Sequence, residues 1–565
     1  MNRRIALLLL GAAALAALLG ALRSSATDEP ALARFAPPGA MLYLEARDFS
    51  SLLGRWNGSK QKPAWLGSSD YEVFSRSRLF LRLKEAGDQF AAAAGLPPDM
   101  VFVSQAAGSQ SAVALYDIGK LQFLYITRMP PGQAERSALV ASRAKFEART
   151  AAGTTFYYRK QEDTGREVAF ATTGEYLVLA TREDLMAGAL TLISGGKDPS
   201  VASEAWWTRS VAAAGQPGDL RLVLNLEKIV PSPYFRSYWV QRNITDMKAF
   251  SAAISDLRLS GSEFREERVL LKKDAGAAGA SGAGSAAVAA LAQMVPADAG
   301  VYVSAAHPSG DACLALLESK LLAPHPGPGV ASQTAPQVQL SSGQTGGSGD
   351  METRIDQAPF DTGSLSATPG ALKSLLAKNP VEASLSFEST DTEKDGVFVR
   401  LHTAVILLGS ADWDDAAVRA AIAEFVRPMY TAGGLGAAWR QQSGYQELDG
   451  LWPLAVAVRG KYLILSDDAR WIREIGPRTG QSADVQPALW IAGFNHARER
   501  QPFLRLVHLL DIQAVSQTGA GRQPEFFSEN MASLSNVLSK VASEKVVARD
   551  AGDKVLQTVI YEWAE

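Results

Sequence analysis

The chain repeats one ordered set of segments, and this repeat limits its folds more than any other feature. Residues 37–46, Pro-Pro-Gly-Ala-Met-Leu-Tyr-Leu-Glu-Ala, return at 296–305 as Pro-Ala-Asp-Ala-Gly-Val-Tyr-Val-Ser-Ala. Further matched pairs follow in the same order, at 174–179 with 460–465 and at 233–236 with 502–505. This order predicts two homologous tandem domains, each long enough to bury its own core.

The repeat and the composition between its copies set the predicted domain boundaries. Residues 1–29 form a signal anchor or signal peptide, and residues 30–274 form the first α+β repeat. The Gly/Ala/Ser-rich residues 275–287 are typical of a flexible linker. Residues 288–565 form the second α+β repeat, with a disordered insertion near 323–350 where Pro, Gly, Ser and Gln accumulate. Because the linker separates two copies, we expect the first repeat to fold alone.

The N-terminal segment predicts a membrane location. Arg3 and Arg4 precede an uncharged apolar run at residues 5–22. As a helix rising about 1.5 Å per residue, this run is long enough to cross most of the roughly 30 Å hydrocarbon core. The preceding charges predict a cytoplasmic N-terminus, with the bulk of the chain in a bacterial periplasm. Residues 24–26, Ser-Ser-Ala, leave open a cleaved signal peptide, which would release the chain into the periplasm.

Apolar segments around short turns predict consecutive hairpins in both copies. The predicted hairpins lie at 111–127, 167–181 and 253–272 in the first copy and at 381–408, 454–466 and 541–563 in the second. Helical segments follow some of them, such as 182–193 and 467–475. The sequence therefore predicts an α+β fold in which each domain is a mainly antiparallel sheet with helices packed on one side of it.

The bulk charge and the cysteine count exclude several classes of function. A net charge of −3 provides no field that would hold nucleic acid or an anionic membrane surface. Cys313 is the only cysteine, so neither an intramolecular disulfide nor a multi-cysteine metal cage can form. Its position between Ala312 and Leu314 is typical of a buried apolar residue.

Histidine chemistry common to both copies is excluded, because every histidine lies in the second. The histidines are His307, His325, His402, His496 and His508. None of them has the i,i+4 spacing that a zinc-binding helix needs. His307 lies close to Ser309 and Asp311 in one short segment, which indicates a turn before a capped helix more than a catalytic triad.

Other short motifs also have structural explanations. Residues 142–145, Ser-Arg-Ala-Lys, match the Ser-x-x-Lys spacing without its companion motifs and predict the end of a helix. Asp412, Asp414 and Asp415 cluster at a predicted helix start, where the helix dipole favours acidic side chains. We therefore predict no catalytic, cofactor-binding or metal-binding residue and no cofactor.

Two segments are candidates for contact surfaces. Residues 75–84 place cationic side chains among large apolar ones, as an amphipathic docking helix would. Trp206 and Trp207, together with the aromatic residues at 234–239, resemble an interface hot spot in composition. In the second copy aliphatic residues replace the aromatic ones of 234–239, so core packing is the favoured interpretation.

The motif Pro-x-[Gly/Asp]-Ala-x-x-Tyr, at 37–43 and 296–302, resembles the strand-entry turn of uncharacterised bacterial envelope proteins of a domain-of-unknown-function family. In that family a Pro-x-Asp-Ala turn leads into the first strand; Asp298 fits this pattern and Gly39 departs from it. The resemblance implies a membrane-anchored envelope protein of α+β architecture. It implies no activity and no catalytic residue.

These observations predict a membrane-anchored extracytoplasmic binding or scaffold protein of unknown ligand. Its predicted partners are the inner membrane, through residues 5–22, and an envelope protein. One alternative is an extracytoplasmic hydrolase that uses carboxylates, which predicts a pocket holding two of them roughly 5–10 Å apart. The other alternative is one active and one degenerate copy, with histidine chemistry surviving in the second copy only.

Overall fold

The computed structural model describes most of the chain outside its N-terminal segment and several internal stretches. The described residues are 31–59, 61–67, 71, 75, 78–97, 99–130, 132–232, 247–260, 263–273, 286–306, 309–322, 370–392, 399–431, 438–449, 454–480, 486–499 and 541–563. They form a mixed fold of helices and antiparallel sheet that divides into two compact units. The first comprises Ser77–Asp256 with the chain up to Ser59, and the second comprises Leu257–Glu565 with Lys60–Arg76.

The first unit is built on an antiparallel sheet. Its strands are β1 Leu42–Ala46, β2 Gln110–Asp117, β3 Gln122–Arg128, β4 Glu147–Ala151, β5 Thr154–Lys160, β6 Glu167–Thr173, β7 Tyr176–Ala180, β8 Leu220–Asn225 and β9 Phe250–Ser260, of which β9 continues into the second unit. Pairing gives the order β8-β1-β2-β3-β7-β6-β5-β4. The predicted hairpins at 111–127 and 167–181 are confirmed as β2–β3 and β6–β7.

Helices connect and cover these strands. They are α1 Phe49–Gly58, α2 Arg78–Ala94, α3 Met100–Ala106, α4 Ala138–Ala141, α5 Glu183–Ile193, α6 Ala205–Ala213 and α7 Leu226–Ile229. Several begin at side-chain caps: Asp48, Asp99 and Ser137 accept hydrogen bonds from the first turns of α1, α3 and α4. One core cluster includes Val168, Phe170, Leu177 and Leu179 of the sheet, against which Phe90 of α2 and Phe102 of α3 pack.

The second unit contains the remaining strands. They are β10 Glu263–Lys272, β11 Val301–Ala306, β12 Val381–Thr392, β13 Val399–Gly409, β14 Ala438–Gln442, β15 Tyr445–Asp449, β16 Leu454–Arg459, β17 Tyr462–Ser466, β18 Trp490–Asn495, β19 Val541–Asp550 and β20 Lys554–Trp563. Antiparallel pairing gives the order β10-β20-β19-β18-β11-β12-β13-β17-β16-β15-β14. Its labelled helices are α8 Ala286–Ala292, α9 Gly310–Leu317, α10 Gly370–Lys378, α11 Asp415–Thr431 and α12 Ala469–Ile475; the short helix Gln61–Leu66 also belongs here.

The two units have the same order of paired strands: strands β1 to β8 of the first unit correspond one by one to strands β11 to β18 of the second. The sharp turns also match, because Gly174 before β7 has φ +57° and Gly460 before β17 has φ +58°. A glycine adopts this left-handed conformation without steric cost, as the first central residue of a tight hairpin turn requires.

Helices lie on both faces of the sheet in the second unit, whereas the sequence analysis expects them on one side. Val405 and Leu407 of β13 belong to a core cluster that includes residues of α9, α10 and α11. Ala404 and Ile406, which alternate with them, belong to a second cluster that includes residues of α8 and α12. Because both faces are buried there, residues 404–408 of β13 are a continuous apolar run instead of an alternating one.

The boundary between the units falls inside β9, at Asp256 and Leu257. Strand β10, which lies within the predicted first repeat, pairs with β20 from Glu263↔Glu562 to Leu271↔Lys554. Lys272 Nζ contacts both carboxylate oxygens of Asp550 at 2.9 and 2.8 Å. This strand therefore belongs by its contacts to the second unit. The predicted linker 275–287 lies mainly, and the predicted insertion 323–350 entirely, outside the described residues.

Candidate functional site

The first unit contains an apolar cavity of about 310 Å³ between its helices and its sheet. The lining residues are Gly87, Phe90, Phe102, Leu121, Phe123, Arg166, Glu167, Val168, Leu179 and Thr181. Its volume is at the lower end of the range for small-molecule pockets, roughly 300–1,000 Å³. The composition, mainly aromatic and aliphatic with a few polar groups, is also typical of such pockets.

Helices and strands position the apolar walls. Phe90 and Phe102 come from α2 and α3, and their ring centroids lie 5.8 Å apart. Phe123 begins the opposite wall on β3, beside Val168 of β6 and Leu179 of β7. Val168 and Leu179 are almost fully buried. The strands β3, β6 and β7 therefore form the floor of the cavity, and the helices α2 and α3 form its roof.

Arg166 and Glu167 are the charged residues of the lining, and together we call them its polar end. Arg166, which directly precedes β6, donates from Nε to Gln89 Oε1 at 2.6 Å. Its Nη1 donates to the backbone carbonyl of Lys120. Both acceptors are uncharged, so these bonds orient the guanidinium without neutralising it.

The neighbouring carboxylate has its own partners. Glu167 Oε2 accepts from the backbone N–H of Glu183, at the start of α5, at 3.2 Å. Its Oε1 lies 3.9 Å from Lys160 Nζ. The helix N-terminus and this ammonium both favour the negative charge of Glu167. Among the charged residues that line the cavity, Arg166 is therefore the one whose described contacts include no opposite charge.

A strained residue closes the turn beside the cavity. Leu121 has φ +49°, in the left-handed region that a branched side chain rarely occupies. Asp117 Oδ1 accepts from the N–H of Lys120 at 2.9 Å, which holds the preceding turn. Leu121 is thus an apolar residue of the cavity lining at a turn position that is more commonly polar or glycine.

A larger groove in the same unit has a different character. Its volume is about 580 Å³. The lining residues are Met100, Val101, Ser104, Gln105, Gln133, Arg136 and Ser137. Met100 and Val101 are exposed to 44% and 65%, so the groove is an open part of the surface. Because water has free access to this groove, it is the weaker candidate for a small apolar ligand.

A buried carboxylate lies elsewhere in the first unit. Glu45 of β1 accepts hydrogen bonds from the Tyr43 hydroxyl, from Gln110 Nε2 at 2.7 Å and from the Leu32 N–H at 3.2 Å. Burial raises the pKa of Glu45 above its ordinary value, although these three donors oppose the shift. Burial also raises the pKa of Tyr43. Ser304 stands at the matched position of β11, so the second unit does not reproduce this group.

Most motifs noted in the sequence have structural roles in the described residues. Ser142 ends α4, which confirms residues 142–145 as a helix terminus. Ser309 Oγ accepts from the Ala312 N–H at 3.3 Å and caps α9; the sequence predicts either Ser309 or Asp311 as this cap. Asp414 Oδ1 accepts from two N–H groups at the start of α11, and Asp415 pairs with Arg419 at 3.0 Å. Cys313 is buried, as predicted, and burial raises its pKa to about 12.

Two of the histidines are described, and neither lies in a described cavity. His402 Nδ1 is 3.8 Å from a carboxylate oxygen of Asp467 and 3.8 Å from one of Asp468. His496 Nε2 is 3.8 Å from Glu544 Oε2, and burial lowers its pKa. His307, His325 and His508 lie outside the described residues. Within the described ranges no group of three His, Cys, Asp or Glu side chains could hold a metal ion.

The predicted contact segments are described in part. Trp207 is 5% exposed, and its ring lies 4.7 Å from that of Tyr43 in an edge-on arrangement, which confirms core packing there. Residues 234–239 lie outside the described residues. Helix α2 begins at Arg78, within the predicted docking helix, but the side chains at 78–83 are likewise not among those described. In the described residues, which exclude 1–30, no helix has the length and hydropathy needed to cross a bilayer.

The cavity could not be predicted from the sequence. Its lining residues come from separate elements between Gly87 and Thr181, and no local motif joins them. The available signals were weak: a glycine inside a helix, and an apolar Leu121 in a turn. Each has a common structural explanation when read alone.

Comparisons with known proteins give little similarity. No protein-family model matches the chain, and no curated protein matches it. Crystal form I of TP0453 is similar at 12% identity over 43% of this chain and 78% of that chain, with a TM-score of 0.25. Crystal forms IV and III, at 11% and 12% identity, cover 43% of this chain and 80% of that chain, with TM-scores of 0.23 and 0.22. At these TM-scores the likeness carries no argument.

Proposed function

We propose that this protein is a non-catalytic binding protein and that the apolar cavity of the first unit is its binding site. The observation that supports this proposal is a partly open cavity of about 310 Å³ whose walls include Phe90, Phe102, Phe123, Val168 and Leu179. Removing an apolar ligand from water into such a space is favourable in proportion to the buried area. The helical roof and the sheet floor provide the preformed shape that binding requires.

The hydrolase alternative has less support. It predicts two carboxylates facing one pocket, whereas the lining of the cavity and of the larger groove includes Glu167 as its single carboxylate. Glu45 is the other notable carboxylate, and three donors already surround it. For the alternative with one active copy, the histidines His402 and His496 lie 3.8 Å from carboxylate oxygens, and neither lines the cavity or the larger groove.

Binding of a neutral apolar probe tests this proposal. The full chain in lipid nanodiscs should bind n-octanol in isothermal titration calorimetry, because no detergent competes for the cavity there. Val168→Phe fills the cavity from the sheet and should abolish the signal. Phe123→Trp is a milder filling variant in case the first one overpacks the core. Both variants should keep the far-UV circular dichroism of the parent chain.

The control for that measurement is the same titration into empty nanodiscs, which corrects for partition of n-octanol into lipid. Saturable heat in the parent chain that both filling variants remove supports the proposal. Heat that is equal in all three proteins would refute the cavity as the binding site.

We further propose that the two units are homologous tandem domains displayed from a membrane anchor at residues 5–22. The equal strand orders and the matched turns at Gly174 and Gly460 support the duplication. The uncharged run after Arg3 and Arg4 supports the anchor. Protease added to intact spheroplasts should digest the chain outside the inner membrane, whereas protection until lysis would contradict this orientation. The mass of the N-terminal peptide decides between an uncleaved anchor and a signal peptide.

A further inference from the structure

We infer that the ligand of the apolar cavity is a medium-chain monocarboxylate, with its chain between the helical roof and the sheet and its carboxylate at Arg166. This inference rests on the proposed binding function and specifies the chemical class of its ligand. It follows from the charge at the polar end, the volume of the cavity and the form of its walls.

The charge at the polar end is positive. The negative charge of Glu167 is balanced by the start of α5 and by Lys160. The described contacts of Arg166, in contrast, are the neutral oxygens of Gln89 and Lys120. A guanidinium has five N–H donors. The bonds through Nε and Nη1 use two of them, which leaves one N–H of Nη1 and both of Nη2 for an incoming acceptor. A carboxylate accepts two parallel bonds from such a fork and supplies the missing negative charge.

The volume sets the length of the chain. About 310 Å³ is roughly twice the 150 Å³ of an engineered apolar cavity that binds benzene. In proportion to the six carbon atoms of benzene, it holds on the order of ten non-hydrogen atoms. Octanoate has this size and combines a flexible apolar chain with one carboxylate.

The turn at Leu121 joins the polar end to the apolar walls. The Lys120 carbonyl accepts from Arg166, and the next residue, Leu121, lines the cavity in its left-handed conformation. The same turn thus holds the guanidinium and covers the chain. A strained conformation that persists beside a cavity is consistent with a role in binding.

Paired titrations of octanoate and n-octanol test this inference, because the two probes share a chain and differ in charge. The full chain in nanodiscs should bind octanoate about tenfold more tightly than n-octanol, since hydrogen bonds between charged groups are the stronger ones. Arg166→Gln should raise the Kd for octanoate about tenfold and change the Kd for n-octanol by less than about twofold. Arg166→Lys, which keeps the charge but not the fork, should recover part of the octanoate affinity.

Leu121→Asn provides the matched control. Asparagine tolerates the left-handed conformation, so this variant should preserve the turn while it removes apolar cover. It should weaken the binding of both probes equally, which distinguishes the loss of apolar contact from the loss of charge. A purely structural role for Arg166 would likewise weaken both probes together.

The outcomes separate the two proposals. Selective loss of octanoate in Arg166→Gln supports the carboxylate ligand. Equal binding of octanoate and n-octanol, both lost in Val168→Phe, overturns the carboxylate assignment and leaves the binding function standing. Failure of both probes to bind overturns the binding function and the ligand class together.

Discussion

The ion pair between Arg221 and Asp256 permits a quantitative test of how the first unit is held together. Arg221 Nε and Nη2 contact the two carboxylate oxygens of Asp256 at 2.7 and 2.8 Å. Asp256 Oδ1 also accepts from the Gly218 N–H at 3.0 Å, and Arg221 Nη2 donates to the Gly215 carbonyl at 2.8 Å. The side chains are 10% and 3% exposed, so water screens this pair little.

The second unit suggests the matched replacement. Arg221 lies opposite Glu45 in the pairing of β8 with β1, and Ile491 lies opposite Ser304 in the equivalent pairing of β18 with β11. Ile491 in turn lies opposite Val547 of β19. Arg221→Ile with Asp256→Val therefore introduces an apolar pair that this architecture already uses at the matched strands.

Removing one partner leaves the charge of the other buried, whereas removing both removes the two charges of the pair. Asp256→Ala should lower the free energy of unfolding by about 3–5 kcal/mol, because the guanidinium keeps only uncharged acceptors. The double variant, Arg221→Ile with Asp256→Val, should lie within about 1 kcal/mol of the parent chain, since apolar replacement of a buried pair is often neutral or stabilising. The two substitutions must then be strongly non-additive.

Urea unfolding with hydrogen exchange of β8 amides measures this effect, because exchange reports on the first unit separately. The single variants Asp256→Ala, Arg221→Ile and Asp256→Val and the double variant complete the comparison. A loss below about 1 kcal/mol in Asp256→Ala, or a double variant as unstable as the single ones, would refute the reasoning.

Three further predictions concern groups with defined surroundings. Because burial raises the folded pKa of Glu45 above its ordinary 4.5, stability should fall as the pH rises from 4.5 through the folded value. Glu45→Gln should remove that fall and should have the same free energy of unfolding as the parent chain below this pH window. An identical pH dependence of that free energy in both proteins would contradict the prediction. Cys313, with a pKa of about 12, should react with iodoacetamide at pH 8 only in denaturant, as mass spectrometry would show. A fragment of residues 288–565 lacks β10 and exposes the edge of β20, so it should melt lower and associate more in gel filtration than residues 257–565; equal behaviour would contradict this pairing.

The hairpins were predictable where turn residues and apolar runs coincide, as at β2–β3 and β16–β17. The hairpins β4–β5 and β14–β15 were missed, since both pairs are rich in polar residues. At β4–β5 the turn residues are Ala152 and Gly153, with φ +49° and +76°. The strongest short-range signal for such a turn is Asn-Gly or Asp-Gly, and alanine does not provide it.

Features to which several elements contribute could not be predicted from local sequence patterns. The burial of both faces of β13 is consistent with its continuous apolar run, but such a run does not say where the covering helices lie. The cavity requires α2, α3 and the sheet to meet around an empty space, and spacing along the chain does not encode that meeting. Caps such as Ser309, in contrast, act within one turn and were read correctly.

The pairing of β10 with β20 determines when the second unit can be completed during synthesis. Lys272 and Asp550, which form its ion pair, are separated by 278 residues. At about 5–20 residues per second, β10 leaves the ribosome some tens of seconds before its partner strand exists. Maturation of the second unit therefore depends on a segment translated long after β10, and a premature stop within β20 would leave an early-made strand without its neighbour.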